Sequence, residues 1–298
     1  MNERLESFIV NSTSFKKNYK LSKINWFQVG GKADLLFKPK TEKELQEFLA
    51  QNFNLDILTL GVGSNIIIRE GGYRGCIIKL GRAFTNIKQI SATEIEVGCA
   101  NLDQNIARFA ADANIAGLEF LSGIPGSIGG AIKMNAGAYG AEFKDVVKKI
   151  YGYDKQGVLH ELSKEQMNYT YRRSAPDKDL IYVKAILTGQ EGRALEIKQK
   201  IKEIQENREA SQPIRAKTGG SSFQNPLGKK AWQLIDQAGC RGLAIGDAIM
   251  SEKHCNFMIN RGAATAKDLE DLGELVRIKV LAKTGITLDW EIKIIGEK

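Results

Sequence analysis

Apolar residues occur along this chain in short unbroken runs, in alternation with polar residues, or at helical spacing. The runs at 57–60 and 66–68 predict buried strands, because a strand covered on both faces is apolar throughout. A helix is predicted after Thr41, where Thr41 and Glu44 form the signature of a capping box and apolar residues follow at helical spacing. Similar patterns predict further strands within 25–39 and at 93–97, 146–153, 180–187, 249–260 and 286–295, and helices at 102–113, 193–210, 229–238 and 266–283.

These elements predict an α+β protein with two domains. The charged helix at 193–210 follows the last strand of the first series. We therefore place a domain boundary there, which gives domains of residues 1–192 and 193–298. No internal repeat interrupts either part.

A glycine-rich stretch, GLEFLSGIPGSIGGAIKMNAGAYG, covers residues 117–140. Glycine loses more backbone entropy on folding than any other residue, so a cluster needs a physical reason. One reason is a tight turn between buried elements. The other is a backbone that passes close to a ligand with its N–H groups free, as in phosphate-binding loops. The stretch alone does not decide between them.

A second glycine turn, GVGSN at 61–65, follows the strand at 57–60 directly. It contains G-x-G, but no third glycine occurs at dinucleotide-fold spacing and no long helix begins there. The chain also lacks the G-x-x-x-x-G-K-[ST] and G-x-S-x-G motifs. These absences argue against the usual nucleoside-triphosphate and α/β-hydrolase sites.

Composition narrows the class of protein. The chain has 43% hydrophobic residues and no apolar run near the 18 residues that a membrane helix needs. These features predict a globular, cytoplasmic protein without a membrane span. The net charge of +8 comes from lysines interspersed with acids, which argues against nucleic-acid binding and suits a phosphate-bearing substrate. Four scattered cysteines and two histidines predict buried thiols and no metal site.

The segment MNYTYRRSAP at 167–176 places two tyrosines and two arginines in a predicted polar loop. Surface arginines of a hairpin would give this pattern. An arginine directed at a carboxylate or phosphate would give it too. The residues themselves leave both interpretations open.

Seven separated segments together resemble the UDP-N-acetylenolpyruvoylglucosamine reductase (UDP-N-acetylmuramate dehydrogenase, MurB) family. They are VGGKADLLFKP at 29–39, LGVGSNIIIREGGYRG at 60–75, the glycine-rich stretch, YRRS at 171–174, GSSFQNP at 220–226, SEKHCNFMIN at 251–260 and LDWEIKIIG at 288–296. They follow the family's order and span nearly the whole chain. The length is similar to the family's shorter form, which lacks an inserted loop with a substrate-covering tyrosine.

The resemblance implies a two-lobed FAD-binding domain of the vanillyl-alcohol-oxidase (PCMH) type and a smaller α+β C-terminal substrate domain. Non-covalent FAD would lie between the two lobes of the first domain, with its diphosphate on one glycine turn and the flavin along the other. The implied cofactor-binding residues are Gly61, Val62, Gly63, Ser64, Asn65, Gly123, Ile124, Pro125, Gly126, Gly129, Gly130, Asn135, Ala136 and Gly137.

The implied reaction reduces the enolpyruvyl ether of a UDP-sugar, with NADPH as the reductant of FAD. Arg172 would hold the substrate carboxylate and the enolate charge. Ser221 would be the proton donor, and Glu291 would help to polarise the enolate, which requires a raised pKa. Asn225 and Lys253 would contact substrate. No obligate protein partner is indicated.

Neighbouring residues offer alternatives for two of these roles. Arg173 and Ser222 adjoin the expected residues, but the family's motifs select Arg172 and Ser221. His254 would more often pack or cap than catalyse. Two rival functions are another flavin oxidase of the same domain class and a nucleotide- or nucleic-acid-binding module without chemistry.

Overall fold

The computed structural model describes residues 3–10 and 12–298, in which helices and strands interleave as predicted. The α-helices of this part are α1 (Glu3–Val10), α2 (Glu42–Ala50), α3 (Asp103–Asp112), α4 (Ile128–Met134), α5 (Phe143–Val146), α6 (Ala194–Ser211), α7 (Ala231–Gln237) and α8 (Ala266–Thr284). No helix in it is long and apolar enough to cross a membrane.

The strands of the described residues group into three larger sheets and three short pairs. They are β1 (Phe15–Lys20), β2 (Lys32–Phe37), β3 (Ile57–Thr59), β4 (Ile66–Ile68), β5 (Tyr73–Ile78), β6 (Ile87–Gln89), β7 (Glu94–Gly98), β8 (Ile115–Ala116), β9 (Gly137–Ala138), β10 (Ala141–Glu142), β11 (Val147–Tyr153), β12 (Leu159–Ser163), β13 (Ile181–Thr188), β14 (Gln190–Glu191), β15 (Lys217–Ser221), β16 (Ala244–Ile245), β17 (Ala248–Met250), β18 (Phe257–Asn260) and β19 (Lys293–Ile295).

The chain forms two compact units. The first contains the described residues up to Lys17 together with 35–61 and 75–206, and the second contains 18–34, 62–74 and 207–298. The chain changes unit within β1, β2, β5 and α6 and between Gly61 and Val62. These units are divided differently from the predicted domains 1–192 and 193–298, and that domain division remains a prediction.

The first unit has two α+β layers. One is the part of the sheet β1-β2-β5-β3 that belongs to this unit, whose core with α1 and α2 includes Phe37, Phe48 and Cys76. The other is the antiparallel sheet β12-β11-β13-β7-β6. Small residues on α3, such as Ala107 and Ala110, are fully buried in its core. Two layers in one unit agree with the predicted two-lobed architecture.

The second unit is built on the antiparallel sheet β15-β18-β17-β16 and helices α7 and α8. Helix α8 contributes Leu269, Leu272 and Val276 to the core, and the N-terminal segments contribute Phe27 and Ile67. β4 pairs in parallel with β19. This pairing fixes the segment that carries Glu291 beside the one that carries the turn at 62–65.

Two predicted strands are shorter than expected. The segment 249–260 divides into β17 and β18, because the Ser251 hydroxyl accepts hydrogen bonds from the backbone N–H groups of Lys253 and His254 and stabilises a turn. The segment 286–295 is a strand only from Lys293, where β4 provides a partner.

Local signals for helix ends are largely confirmed. Thr265 and Asp268 form a complete capping box on α8, which ends at Gly285 in the left-handed conformation. At α2 the Thr41 hydroxyl accepts from Glu44, but the Glu44 carboxylate accepts from Lys40 instead of from Thr41. The four cysteines are buried free thiols, as predicted.

Candidate active site

The turn at 61–65 presents unsatisfied backbone donors. Among the described residues, none accepts a hydrogen bond from the five backbone N–H groups of Gly61 to Asn65. Gly63 has φ +72°, and a Cβ there would lie 2.6 Å from the carbonyl oxygen of Ile24. The turn is therefore held in a conformation that requires glycine, with a row of N–H groups suited to an anion.

The glycine-rich stretch is not the continuous loop that its composition suggests. It contains a 3₁₀ helix at Glu119–Gly123, the helix α4 and the strand β9. A Cβ on Gly126 would lie 2.6 Å from Asp103 Oδ2, and one on Gly123 would lie 2.7 Å from the Tyr139 ring. Packing inside the protein thus favours small residues at these two positions.

Several backbone donors of the stretch are already used. Ile124 donates to Leu121, Gly129 donates to Cys99, and Ala136 donates to Ala131. The expectation that the N–H groups of this stretch are free is therefore wrong at these positions. Pro125, Gly126 and Gly137 are half-buried and Gly130 is exposed, so part of the backbone surface remains accessible.

Asn135 connects the stretch to its neighbours in the first unit. It is fully buried and left-handed, with φ +42°. Its Nδ2 donates to Glu142 Oε2 at 3.1 Å and to the Thr170 carbonyl at 2.9 Å, while its Oδ1 accepts from the Lys144 amide. These bonds fix the loop that carries Arg172 to the end of the stretch.

Arg172 lies at the tip of the loop between Thr170 and Arg173, which are paired through their backbones. Its φ is +56°, a conformation that a residue with a side chain adopts at a cost of roughly 1 kcal/mol or more. Its Nη2 donates to the Gly137 carbonyl at 3.0 Å, and the guanidinium lies 4.8 Å from the centre of the Tyr171 ring. The half-buried Arg172 is thus directed at the glycine-rich stretch, whereas Arg173 is exposed.

Ser221 and Ser222 have different environments in the second unit. Ser222 is fully buried, and its hydroxyl accepts from the Met258 amide at 3.2 Å. Ser221 is half-buried at a bulge of β15, next to Gly220 with φ +73°. Its hydroxyl has no hydrogen-bond partner among the described residues. Of the two, only Ser221 presents a hydroxyl to solvent.

Backbone hydrogen bonds bring Glu291 to the serine motif. The Glu291 amide donates to the Ser222 carbonyl at 2.9 Å, and Asn65 Nδ2 donates to the Glu291 carbonyl at 3.2 Å. Gly220 lies near Ser64, whose carbonyl would be 3.9 Å from an added Cβ. The second unit therefore gathers the turn at 62–65, Ser221 and Glu291, three separated segments, into one region.

The two predicted substrate contacts have bonds of their own. The Asn225 side chain accepts from the Ala231 amide at 2.9 Å and so caps α7. Lys253 Nζ donates to the Glu209 carbonyl and lines an open groove with Arg215. His254 packs against the Phe257 ring at 4.8 Å, which agrees with the packed role expected for it.

Two acidic residues beside these elements were missed in the sequence. Glu142 contacts Arg172, and Asp103 is buried beneath Gly126. Asp103 has no hydrogen bond to either carboxyl oxygen, and burial raises its pKa well above the usual value. Neither belongs to a recognisable motif; the nearest signal is that Glu142 lies two residues after the end of the glycine-rich stretch.

The described residues contain no cluster of three or more histidine, cysteine or acidic side chains that could hold a metal.

Comparisons with known proteins agree with this arrangement. Residues 33–163 match an FAD binding domain, and residues 212–295 match the C-terminal domain of UDP-N-acetylenolpyruvoylglucosamine reductase. The reductase of that name from Parvibaculum lavamentivorans is 51% identical over 93% of this chain and 89% of its own length. The reductase of the same name from Rickettsia conorii is 50% identical over 95% of this chain and 96% of its own length.

A solved structure extends the comparison to the fold. The UDP-N-acetylenolpyruvylglucosamine reductase (MurB) from Thermus caldophilus has a TM-score of 0.81 and 31% identity, over 95% of this chain and 98% of that one. The similarity therefore extends over both units. This chain belongs to the UDP-N-acetylenolpyruvoylglucosamine reductase family.

Proposed function

We propose that this protein is an FAD- and NADPH-dependent UDP-N-acetylmuramate dehydrogenase that acts in peptidoglycan precursor synthesis. It reduces the enolpyruvyl ether of UDP-N-acetylglucosamine-enolpyruvate to the lactyl ether of UDP-N-acetylmuramate. The observation that carries this proposal is the gathering of Ser221, Glu291 and the turn at 62–65 by the Glu291–Ser222 and Asn65–Glu291 hydrogen bonds. Family membership over most of the chain supports it.

The residues present fit FAD. Unsatisfied N–H groups at 61–65 are the donors that a diphosphate requires, and the glycines allow close approach of the backbone. The accessible backbone of Ile124, Pro125, Gly126 and Gly130 would lie along the ring system. When bound and reduced by NADPH, FAD supplies the hydride for the enol double bond.

Addition of hydride to the far carbon of the enol leaves negative charge on the inner carbon and the carboxylate. Arg172 holds the carboxylate and stabilises this charge. Its fixed position supports the role, since a guanidinium anchored to the Gly137 carbonyl and the Tyr171 ring needs little reorganisation when charge develops. The strained backbone of Arg172 agrees with a functional constraint.

Ser221 donates the proton to the inner carbon. A serine hydroxyl retains its proton at neutral pH, and this one has no partner among the described residues that would compete for it. Glu291 polarises the enolate from the adjacent segment. Asn225 and Lys253 contact the nucleotide part of the substrate.

The deciding experiment separates the two half-reactions under anaerobic conditions. The purified protein should be yellow and release intact FAD on denaturation. NADPH should bleach it, and the enolpyruvyl UDP-sugar should restore the colour, whereas UDP-N-acetylglucosamine, which lacks the enolpyruvyl group, should not. Bleaching by NADPH without reoxidation by the enolpyruvyl substrate would refute the assignment and favour another flavin oxidase. A colourless protein would favour a binding module.

A further inference from the structure

Lys79 lies at the start of the first glycine turn, although it is far from that turn in sequence. It follows β5 directly, and β5 pairs in parallel with β3, which leads to Gly61. The ammonium group of Lys79 donates a hydrogen bond to the Gly61 carbonyl. Its amide donates to the Phe37 carbonyl at 2.9 Å, so that the neighbouring Lys38 also lies at this edge.

The environment of Lys79 is unfavourable for a cation. The side chain is half-buried, and burial together with the charge of Lys38 lowers the pKa of Lys79 to about 8. Other lysines of the first unit have carboxylate partners, for example Lys133 with Asp179 and Lys184 with Glu96. Among the described residues, no carboxylate lies within ion-pair distance of Lys79. A partly desolvated charge of this kind is stabilised when an anion binds next to it.

An ammonium group has three donors, and the Gly61 carbonyl uses one of them. The remaining donors lie at the first residue of a turn whose own five N–H groups are unsatisfied. Charge-assisted hydrogen bonds to phosphate oxygens are about twice as strong as neutral ones. The Lys79 ammonium group and the N–H groups of the turn are therefore both suited to bind phosphate oxygens.

We propose that Lys79 binds the diphosphate of the dinucleotide cofactor at Gly61, supplying the side-chain charge that the backbone turn lacks. This inference rests on the proposed placement of FAD at 61–65. Lys79 is thus a cofactor-binding residue without a part in the proton or hydride steps.

The test is a binding titration that requires no turnover. The full chain, stripped of flavin, is titrated with FAD and with riboflavin, which has the same ring system but no phosphate. Lys79→Gln should weaken FAD binding roughly 10- to 100-fold, because a hydrogen bond to a charged group is lost. Its affinity for riboflavin should stay within about twofold of wild type, and Lys79→Arg should recover most of the FAD affinity.

Lys88→Gln is the matched control, because Lys88 is an exposed lysine of the same unit and its loss changes the net charge equally. Its FAD affinity should equal that of wild type. The defect of Lys79→Gln should shrink as ionic strength rises, since salt screens the lost attraction. Equal weakening of FAD and riboflavin, or an unchanged FAD affinity, would overturn the inference while leaving the proposed function intact. A wild-type protein that binds no FAD would refute both.

Discussion

Arg172 Nη1 lies 3.7 Å from Glu142 Oε1, and the other carboxylate oxygen of Glu142 accepts from Asn135 and pairs with Lys144. Glu142 also accepts at the start of α5 as half of a capping box with Asp145. One carboxylate therefore connects the end of the glycine-rich stretch to the arginine that we propose holds the substrate carboxylate. The ion pair at 3.7 Å therefore restrains the position of the guanidinium.

Replacing Glu142 with glutamine should impair the use of substrate. Glutamine keeps an acceptor for the cap and nearly the same shape but removes the charge that attracts the guanidinium. We expect reoxidation of the reduced enzyme by the enolpyruvyl substrate to slow about tenfold, since misplacement of a catalytic group has effects of this size or larger. Reduction by NADPH and the affinity for FAD should stay within about twofold. Stopped-flow absorbance of the flavin measures both half-reactions.

Lys144→Gln is the control for this change. It removes the other ion pair of Glu142, at 2.7 Å, in which the lysine side chain is 45% exposed, and should leave both half-reactions near wild type. If Lys144→Gln slows reoxidation as much as Glu142→Gln does, the defect comes from general loosening of the segment and not from a changed position of Arg172.

Arg172 itself can be distinguished from its neighbour by two parallel substitutions. Arg172→Lys keeps the charge but loses the planar guanidinium, so substrate reoxidation should fall about 10²- to 10³-fold. Arg173→Lys changes an exposed arginine and should leave the rate within about twofold. The opposite order of the two variants, measured by single-turnover reoxidation, would show that the wrong arginine was chosen from the YRRS motif.

Substitution of Ser221 should affect the reaction rate, whereas substitution of Ser222 should affect the stability of the fold. Ser221→Ala should be reduced normally by NADPH but reoxidised roughly 10²- to 10⁴-fold more slowly by substrate, because a general acid is lost. Ser222→Ala should instead lower the melting temperature, since it leaves the buried Met258 amide without its acceptor, at a cost of about 1 to 3 kcal/mol. Equal losses in both half-reactions for Ser221→Ala would contradict its role as proton donor.

Sequence patterns predicted elements well where local signals and packing agree. The α8 helix was found within one residue at its C-terminal end, because Thr265, Asp268 and Gly285 act locally. The strand predicted at 286–295 failed for most of its length. Apolar alternation continues through Glu291, but its amide donates to the Ser222 carbonyl, and only the last three residues have a ladder partner in β4. A strand requires a neighbour that its own sequence does not specify.

Candidate site residues were predicted from motifs, whereas the side chains that contact them were not. Arg172 stands in a motif, but neither its positive φ nor its contact with Glu142 has a sequence signal. The composition of the glycine-rich stretch was explained only in part. Ligand approach and internal packing favour the same small residues, and only the three-dimensional arrangement shows that Gly126 is limited by Asp103.

The burial of Asp103 also could not be predicted from the sequence. An aspartate at the first position of α3 is expected to face solvent. Its negative charge would there interact favourably with the positive end of the helix dipole. It is instead fully buried beneath Gly126, and neither carboxyl oxygen has a partner among the described residues. Burial of the charged form therefore raises its pKa well above the usual value of about 3.9.

Because the folded-state pKa of Asp103 is raised, its contribution to stability is complete below the unfolded pKa near 4. Above that value the unfolded chain releases a proton that the folded chain retains. The free energy of unfolding then falls by up to about 1.4 kcal/mol per pH unit, until the folded carboxyl also ionises. An asparagine side chain cannot ionise, so Asp103→Asn should raise the free energy of unfolding at pH 7.5 by about 1 to 3 kcal/mol. The gain should disappear as the pH approaches 4.

Thermal unfolding at pH 4.5, 6 and 7.5, with and without FAD, measures this difference. Asp112→Asn is the control, because Asp112 is exposed at the other end of α3 and pairs with Lys198 at 2.7 Å. Its effect should stay within about 1 kcal/mol at each pH. If Asp103→Asn lowers the melting temperature most at pH 7.5, the carboxylate is ionised and paired in the folded protein. That outcome would mean that a cation or bound donor, absent from the contacts of the described residues, reaches Asp103 beneath Gly126.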